Sequence, residues 1–152
     1  MCDQFEYEYN KLEWKRWKYK ARDLASLKRA SPPIPPKHGV YLLRAPNPIC
    51  RVKGASNVIY VGQSGGGKRS GAHGIGPGNG GRGRLFNKRG HDKVVSEYIE
   101  GLFPQEEFLV ECHFTRNHED PEEIEGRLLL AYFRTHFEFP PANHTLKKSA
   151  VV

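Results

Sequence analysis

Two short runs, Gly39 to Leu43 and Asn57 to Gly62, are built from β-branched and aromatic residues and bounded by turn formers, the pattern of β-strands. The connection between them contains Pro46, Asn47, Pro48 and Gly54, so together they predict an antiparallel hairpin with a long loop. Phe108 to Phe114 alternates apolar and polar residues and predicts a third strand. Between hairpin and third strand, residues 62–83 are dense in glycine, which permits close backbone approach and disfavours a long helix. Helical character returns from Arg84 to Gly101, with Gly90 as a candidate break.

Two further helices frame these strands. Residues 3 to about 30 contain no Gly or Pro, and Phe5, Tyr9, Leu12, Trp17, Ala21 and Leu24 recur near helical spacing. The other faces of this predicted N-terminal helix carry Lys11, Lys15, Arg16, Lys18, Lys20 and Arg22 interleaved with Trp14 and Tyr19, a combination suited to a phosphate backbone or simply to solvent. Ser31-Pro32-Pro33-Ile34-Pro35-Pro36 cannot continue it, because each Pro lacks a donor and restricts the residue before it; a stiff linker is expected. Near the C-terminus Asp120 is an N-cap candidate, Pro121 sits at N1 and Glu123 at N3, predicting a helix to about Phe137, stopped by Pro140-Pro141. Leu128, Leu129 and Leu130 put apolar residues on more than one of its faces, so it is expected at the centre of the core.

At 152 residues the chain accommodates one domain around one core. Charge is unevenly spread. Residues 11–30 carry eight Lys and Arg against two acids, residues 51–93 nine against one, and residues 94–152 five against eleven. A basic first two thirds favours nucleic acid as partner, because neutralised phosphates release counterions. No run approaches the roughly 18 apolar residues of a membrane span, and Cys2, Asp3 and Gln4 do not begin a signal peptide, so a cytoplasmic protein without membrane partners is expected. Cys2, Cys50 and Cys112 form no C-x-x-C pair and read as ordinary reduced thiols.

Among the carboxylates Glu125 stands out: it lies past the acidic first turn of the last helix, one helical step from Leu128 and Leu129. A carboxylate there needs a cation or donor, either a metal or a buried arginine. Tyr41 and Tyr60 would each stand on a paired strand, where most tyrosines pack and hydrogen-bond their hydroxyls. In combination, Gly39-Val40-Tyr41 and Tyr60-Val61-Gly62 resemble the two signature motifs of the GIY-YIG nuclease family, with Val for Ile in each. The resemblance continues in order through a basic segment, a third strand, Glu125 on a helix and Pro141-Ala142-Asn143, and so covers about residues 37–145.

The resemblance implies a small α/β fold, a three-stranded antiparallel sheet flanked by helices, here with an extra N-terminal helix. Residues 1–36 would form the basic aromatic helix and linker, and residues 37–152 the nuclease domain. It implies a DNA endonuclease that hydrolyses phosphodiesters with one divalent ion per site, Mg2+ or Mn2+, held by Glu125. Tyr41, helped by Tyr60, would take a proton from the attacking water. A free phenol with a pKa of about 10 needs nearby positive charge for that role. An arginine would offset charge on the scissile phosphate. Arg69 with His73 four residues on has the family's spacing, Arg84 begins the better helical stretch, and Arg89 is a third choice. Lys15, Arg16, Lys18, Lys68, Arg82, Lys88, Arg89 and Asn143 are the expected nucleic-acid contacts. DNA is the expected partner, with RNA the alternative. A restriction-type enzyme cutting a palindrome would work as a homodimer and a simple nicking enzyme as a monomer, with a structure-specific repair or junction nuclease as the alternative within the class.

Two readings from other classes compete. Gly62-Gln63-Ser64-Gly65-Gly66-Gly67-Lys68-Arg69 comes near a P-loop after a strand, yet Arg69 stands where Ser or Thr should hold magnesium, which disfavours an NTPase. The other is a non-catalytic nucleic-acid-binding module with the same fold.

Overall fold

The computed structural model describes residues 3–20, 30–65, 74–76 and 106–143. The described chain runs α1 (Gln4–Asn10), β1 (Lys15–Lys20), β2 (Gly39–Cys50), β3 (Ala55–Ser64), β4 (Glu107–Phe114) and α2 (Pro121–His136). It is an α/β fold with one four-stranded sheet in the order β1-β4-β2-β3, every neighbouring pair antiparallel. Among the described residues no helix is long and apolar enough to cross a membrane.

The N-terminal segment departs most from expectation. Asp3 caps α1 by accepting from the Glu6 amide at 2.7 Å, but the helix ends at Asn10 and the chain becomes a strand at Lys15. In Lys15–Lys20 the buried residues are Trp17 and Tyr19, a period of two that suits a strand, whereas Phe5, Tyr9, Leu12 and Trp17 alone are spaced near a helical repeat. Pairing decides between them: all six residues of β1 find partners on β4, from Lys15 opposite Cys112 to Lys20 opposite Glu107. The sheet therefore has four strands where three were expected, and the long basic helix is corrected to a short helix and a strand. The proline run that follows is packed against this strand, with Ile34 buried and the Trp17 indole donating to the Pro32 carbonyl at 2.9 Å.

The hairpin forms where expected, with a shorter turn. β2 extends to Cys50 and β3 starts at Ala55, closed by a hydrogen bond from the Arg51 amide to the Gly54 carbonyl at 3.0 Å. Pro46 and Pro48 lie inside β2, where the register shifts between Arg44 and Ile49; a bulge tolerates residues that cannot donate to the ladder. Gly54 has a φ of 71°, the left-handed turn position that glycine fills without strain. Helix α2 starts as its sequence dictates, Asp120 accepting from the Glu122 amide at 3.0 Å with Pro121 at its head.

Each sheet face has its own core. One face packs Val40, Leu42, Val58 and Val61 against Phe5 of α1 and Ile124, Leu128, Ala131 and Tyr132 of α2, with Phe5 meeting Tyr132 edge-on at 5.5 Å. The other face carries Trp17, Tyr19, Tyr41, Leu43, Tyr60, Phe108 and Val110, with Ile34, Ile75 and Ala142 among the residues packed with them. Leu128 is buried, Leu129 half-buried and Leu130 exposed, so α2 buries a single stripe and is not central to the core.

Between α1 and the sheet lies a buried charge. Glu111 is 1% exposed. Its carboxylate accepts from Arg16 Nε at 2.8 Å, from Arg44 Nε and from the Tyr9 hydroxyl. Arg44 donates further to Asn57 Oδ1 at 2.8 Å and lies over the Tyr9 ring at 4.9 Å. Burial and the Glu111 carboxylate push the Tyr9 phenol above its ordinary value, so it stays a donor. Glu111→Ala would leave the half-buried Arg44 without its main counter-charge and is expected to cost about 3–5 kcal/mol in denaturant titration. By contrast Gly126, exposed on α2 with open space where a Cβ would stand, is expected to gain about 0.8–1 kcal/mol on replacement by Ala in the same titration.

Candidate active site

Two strand glycines shape the region around the tyrosines. In the β2–β3 ladder Tyr41 stands directly opposite Gly62, and Leu43 opposite Tyr60. Tyr41, Gly62 and Tyr60 thus share one face, and the tyrosine rings meet with centroids 5.8 Å apart at 46°. A Cβ on Gly62 would lie 2.4 Å from Tyr41 Cζ and 2.7 Å from Tyr60 Cε1, so only glycine leaves room for both rings. On the neighbouring ladder a Cβ on Gly39 would stand 2.1 Å from the His113 carbonyl oxygen, so glycine is what lets β2 close on β4 here. The motif residues therefore form one packed unit. The tyrosines are buried as well as paired, at 1% and 2% exposure.

Asn143 supports the same unit from the sheet edge. Its Oδ1 accepts from the Val61 amide at 2.8 Å and its Nδ2 donates to the Val61 carbonyl at 2.9 Å, while the Ala142 amide donates to the Ile59 carbonyl at 2.9 Å. The side chain pairs with β3 much as a neighbouring strand would, bracketing the residue after Tyr60. Asn143 is buried and both ends of its amide are engaged, which corrects its expected role as a nucleic-acid contact to one of positioning β3.

Glu125 lies half-buried on α2, one residue after Ile124 of the buried stripe. That stripe packs on the sheet face opposite the tyrosine rings. The structure thus joins Tyr41, Tyr60 and Asn143 around β3 and sets Glu125 on the helix behind it. Among the described residues no group of three His, Cys, Asp or Glu could hold a metal. A single carboxylate still suits magnesium, which keeps several waters and takes one or two carboxylates plus substrate oxygens. Lys68, Arg69, His73, Arg82, Arg84, Lys88 and Arg89 lie outside the described residues.

The remaining expected contacts divide between the two faces of β1. Lys15 is exposed and stands opposite Cys112, which in turn stands opposite Tyr41, so it shares the tyrosine face. Arg16 is turned to the other face and closes on Glu111, with about half of its side chain exposed. Lys18 is exposed on that same face, 4.0 Å from Glu107. Cys112 is buried, which pushes its thiol well above the ordinary range and makes it unreactive.

Sequence reasoning passed over two features near the site. His38 precedes Gly39 and stands against Gly65, whose φ of 89° and crowding by the imidazole both require glycine. His113 is buried on β4, its Nδ1 2.9 Å from the Glu13 carbonyl oxygen and its Nε2 3.1 Å from Glu119. Burial alone would raise the Glu119 carboxyl. The Arg116 amide, the His113 side chain and the charges of His113 and His118 outweigh it and hold the group below its ordinary value. A charged or titratable residue inside an apolar strand, as in Phe108-Leu109-Val110-Glu111-Cys112-His113-Phe114, was the signal for both Glu111 and His113.

No protein-family model, characterised protein or solved structure matches this chain significantly. Gly62→Ala tests the packed unit directly. It is expected to cost about 1–3 kcal/mol by overpacking, read in denaturant titration, and to shift the near-ultraviolet circular dichroism of the displaced tyrosines.

Proposed function

We propose that this chain is a GIY-YIG-type DNA endonuclease that hydrolyses phosphodiester bonds with one Mg2+ or Mn2+ per site. The observation that carries this reading is the fit of Gly62 beneath the paired rings of Tyr41 and Tyr60. That packing gives a reason for a glycine and two tyrosines in one cross-strand register, which two unrelated strands would not need. The basic first two thirds of the chain supports nucleic acid as substrate.

In this reading Tyr41 acts as its phenolate, which takes the proton of the attacking water and becomes the neutral phenol, and Tyr60, beside it, fixes the ring. Asn143 holds β3 so that this pair keeps its place. Glu125 holds the divalent ion, which when bound lowers the pKa of water and offsets phosphate charge. The tyrosines and the helix that bears Glu125 lie on opposite faces of the sheet, so the substrate would have to reach around the β3 edge to engage both. Arg69, assisted by His73, or else Arg84 or Arg89, neutralises the scissile phosphate. A compact chain with a basic N-terminal segment fits a restriction-type enzyme, which would act as a homodimer on a palindrome. A structure-specific repair or junction nuclease is the alternative within the class.

The near-complete burial of both tyrosines favours a second reading, in which they are core residues and the chain binds nucleic acid without cutting it. Plasmid DNA incubated with Mg2+ or with chelator separates the two. Metal-dependent cleavage by the wild type, slowed about 100-fold or more in Tyr41→Phe and in Glu125→Ala while both variants melt cooperatively, is the expected result. Cleavage that survives chelator, or that both variants keep, sinks the mechanism, and binding without cleavage selects the second reading.

A further inference from the structure

Away from the tyrosines, the described residues enclose a cleft of about 480 Å3. It lies where β1 begins: Lys15 is the first residue of β1 to pair with β4, and beyond Cys112 the outer edge of β4 has no β1 partner. Lys11, Lys15, Lys37 and Arg116 line it, against the carboxylates of Glu13 and Glu119. We propose that this cleft binds a backbone phosphate of nucleic acid and anchors the strand beside the tyrosine pair.

The charge is available to a ligand. Arg16, Arg44, Arg51 and Arg127 each close on a glutamate. Among the described residues Lys15, Lys37 and Arg116 form no ion pair, and all three are exposed. Lys11 is shared with Glu8 at 3.3 Å. Of the two acids, Glu119 is already engaged, accepting from the Arg116 amide at 2.9 Å and facing His113 at 3.1 Å. The excess of unpaired cations gives the cleft a positive field.

The backbone positions that bear these cations are also fixed. Lys37 is fixed because its carbonyl accepts from the Ile75 amide at 2.9 Å. The next residue, His38, accepts at its carbonyl from the Thr115 amide at 3.1 Å, which ties the Lys37 segment to the Arg116 segment. Glu119 then closes the loop that bears Arg116, and Lys15 is set by the ladder. Three cations from three distant parts of the sequence thus converge on scaffolding that exists before any ligand arrives.

Register fixes where this anchor lies relative to the proposed chemistry. Lys15, Cys112, Tyr41 and Gly62 form one row straight across the sheet, on one face. With strands about 4.8 Å apart, the backbones of Lys15 and Tyr41 are roughly 10 Å from each other. The anchored phosphate therefore lies on the tyrosine face, within a few nucleotides of the bond at the tyrosines. The binding site stands on its own observations; its relation to a cut bond rests on the nuclease reading.

The test measures binding of the full chain to a fluorescent DNA duplex in chelator, from low to moderate salt, so that cleavage cannot enter. The triple variant Lys15→Ala, Lys37→Ala, Arg116→Ala is compared with Lys53→Ala, Arg134→Ala, which removes two cations outside the cleft. The cleft variant is expected to bind more weakly and to lose about one unit from the slope of log affinity against log salt for each phosphate contact removed, while the control pair keeps the wild-type slope. Wild-type affinity and slope in the folded triple variant, with melting as the check, would overturn the proposal. Equal losses in the control pair would also overturn it, since the effect would then be general surface charge. Competition with inorganic phosphate distinguishes a free anion as the ligand: displacement of DNA from the wild type at micromolar phosphate counts against a backbone anchor. A loss confined to the cleft variant in a protein that never cuts DNA leaves the anchor standing and removes only the nuclease reading.

Discussion

Strands β1, β2 and β4 and helix α1 all converge on the carboxylate of Glu111. Arg16 reaches it from β1, Arg44 from β2 and the Tyr9 hydroxyl from α1. A buried carboxylate is tolerable only when its oxygens are filled with donors, and filling them requires all four elements at once. The network therefore discriminates among arrangements more than it adds net stability, because apolar packing of similar volume often does as well as a buried ion pair. It also explains why a strand as polar as Lys15–Lys20 belongs to the sheet: from β1 Arg16 reaches both Glu111 and the Tyr9 hydroxyl.

How much of this was readable in advance follows from the range of the interactions involved. The start of α2 was legible because an N-cap, a proline and an acidic first turn act within one helical turn. The hairpin was legible because its strands carry β-branched and aromatic runs that are adjacent in the chain. β1 was not legible, since the residues that make it a strand lie far away on β4, and locally Phe5 to Trp17 spaces its apolar residues as a helix would. Pro46 and Pro48 were read as loop because a bulge looks like a break when only the sequence is seen.

For the site, the reach was similar. The motif residues identified a pair of tyrosines, and only the register revealed that Gly62 makes space for both rings. Asn143 was expected to contact nucleic acid, and its amide faces the backbone of β3 instead. The reasoning applied to Glu125, that an acid amid leucines needs a partner, describes Glu111 better. An apolar strand with a carboxylate at its middle is a stronger sign of burial than a carboxylate one step along a helix, because both flanking positions on its sheet face are fixed by the ladder.

The amide of Asn143 has a consequence for how copies of this protein can meet. By occupying the outer hydrogen-bonding positions of Val61 it stands where a fifth strand would have to join, so the sheet cannot grow from that side. At the far side, β1 presents Lys15, Lys18 and Lys20, and two such strands brought together antiparallel would set like charges against each other. Among the described residues both edges of the sheet are thus set against pairing with a second sheet, one by a side-chain amide and the other by charge.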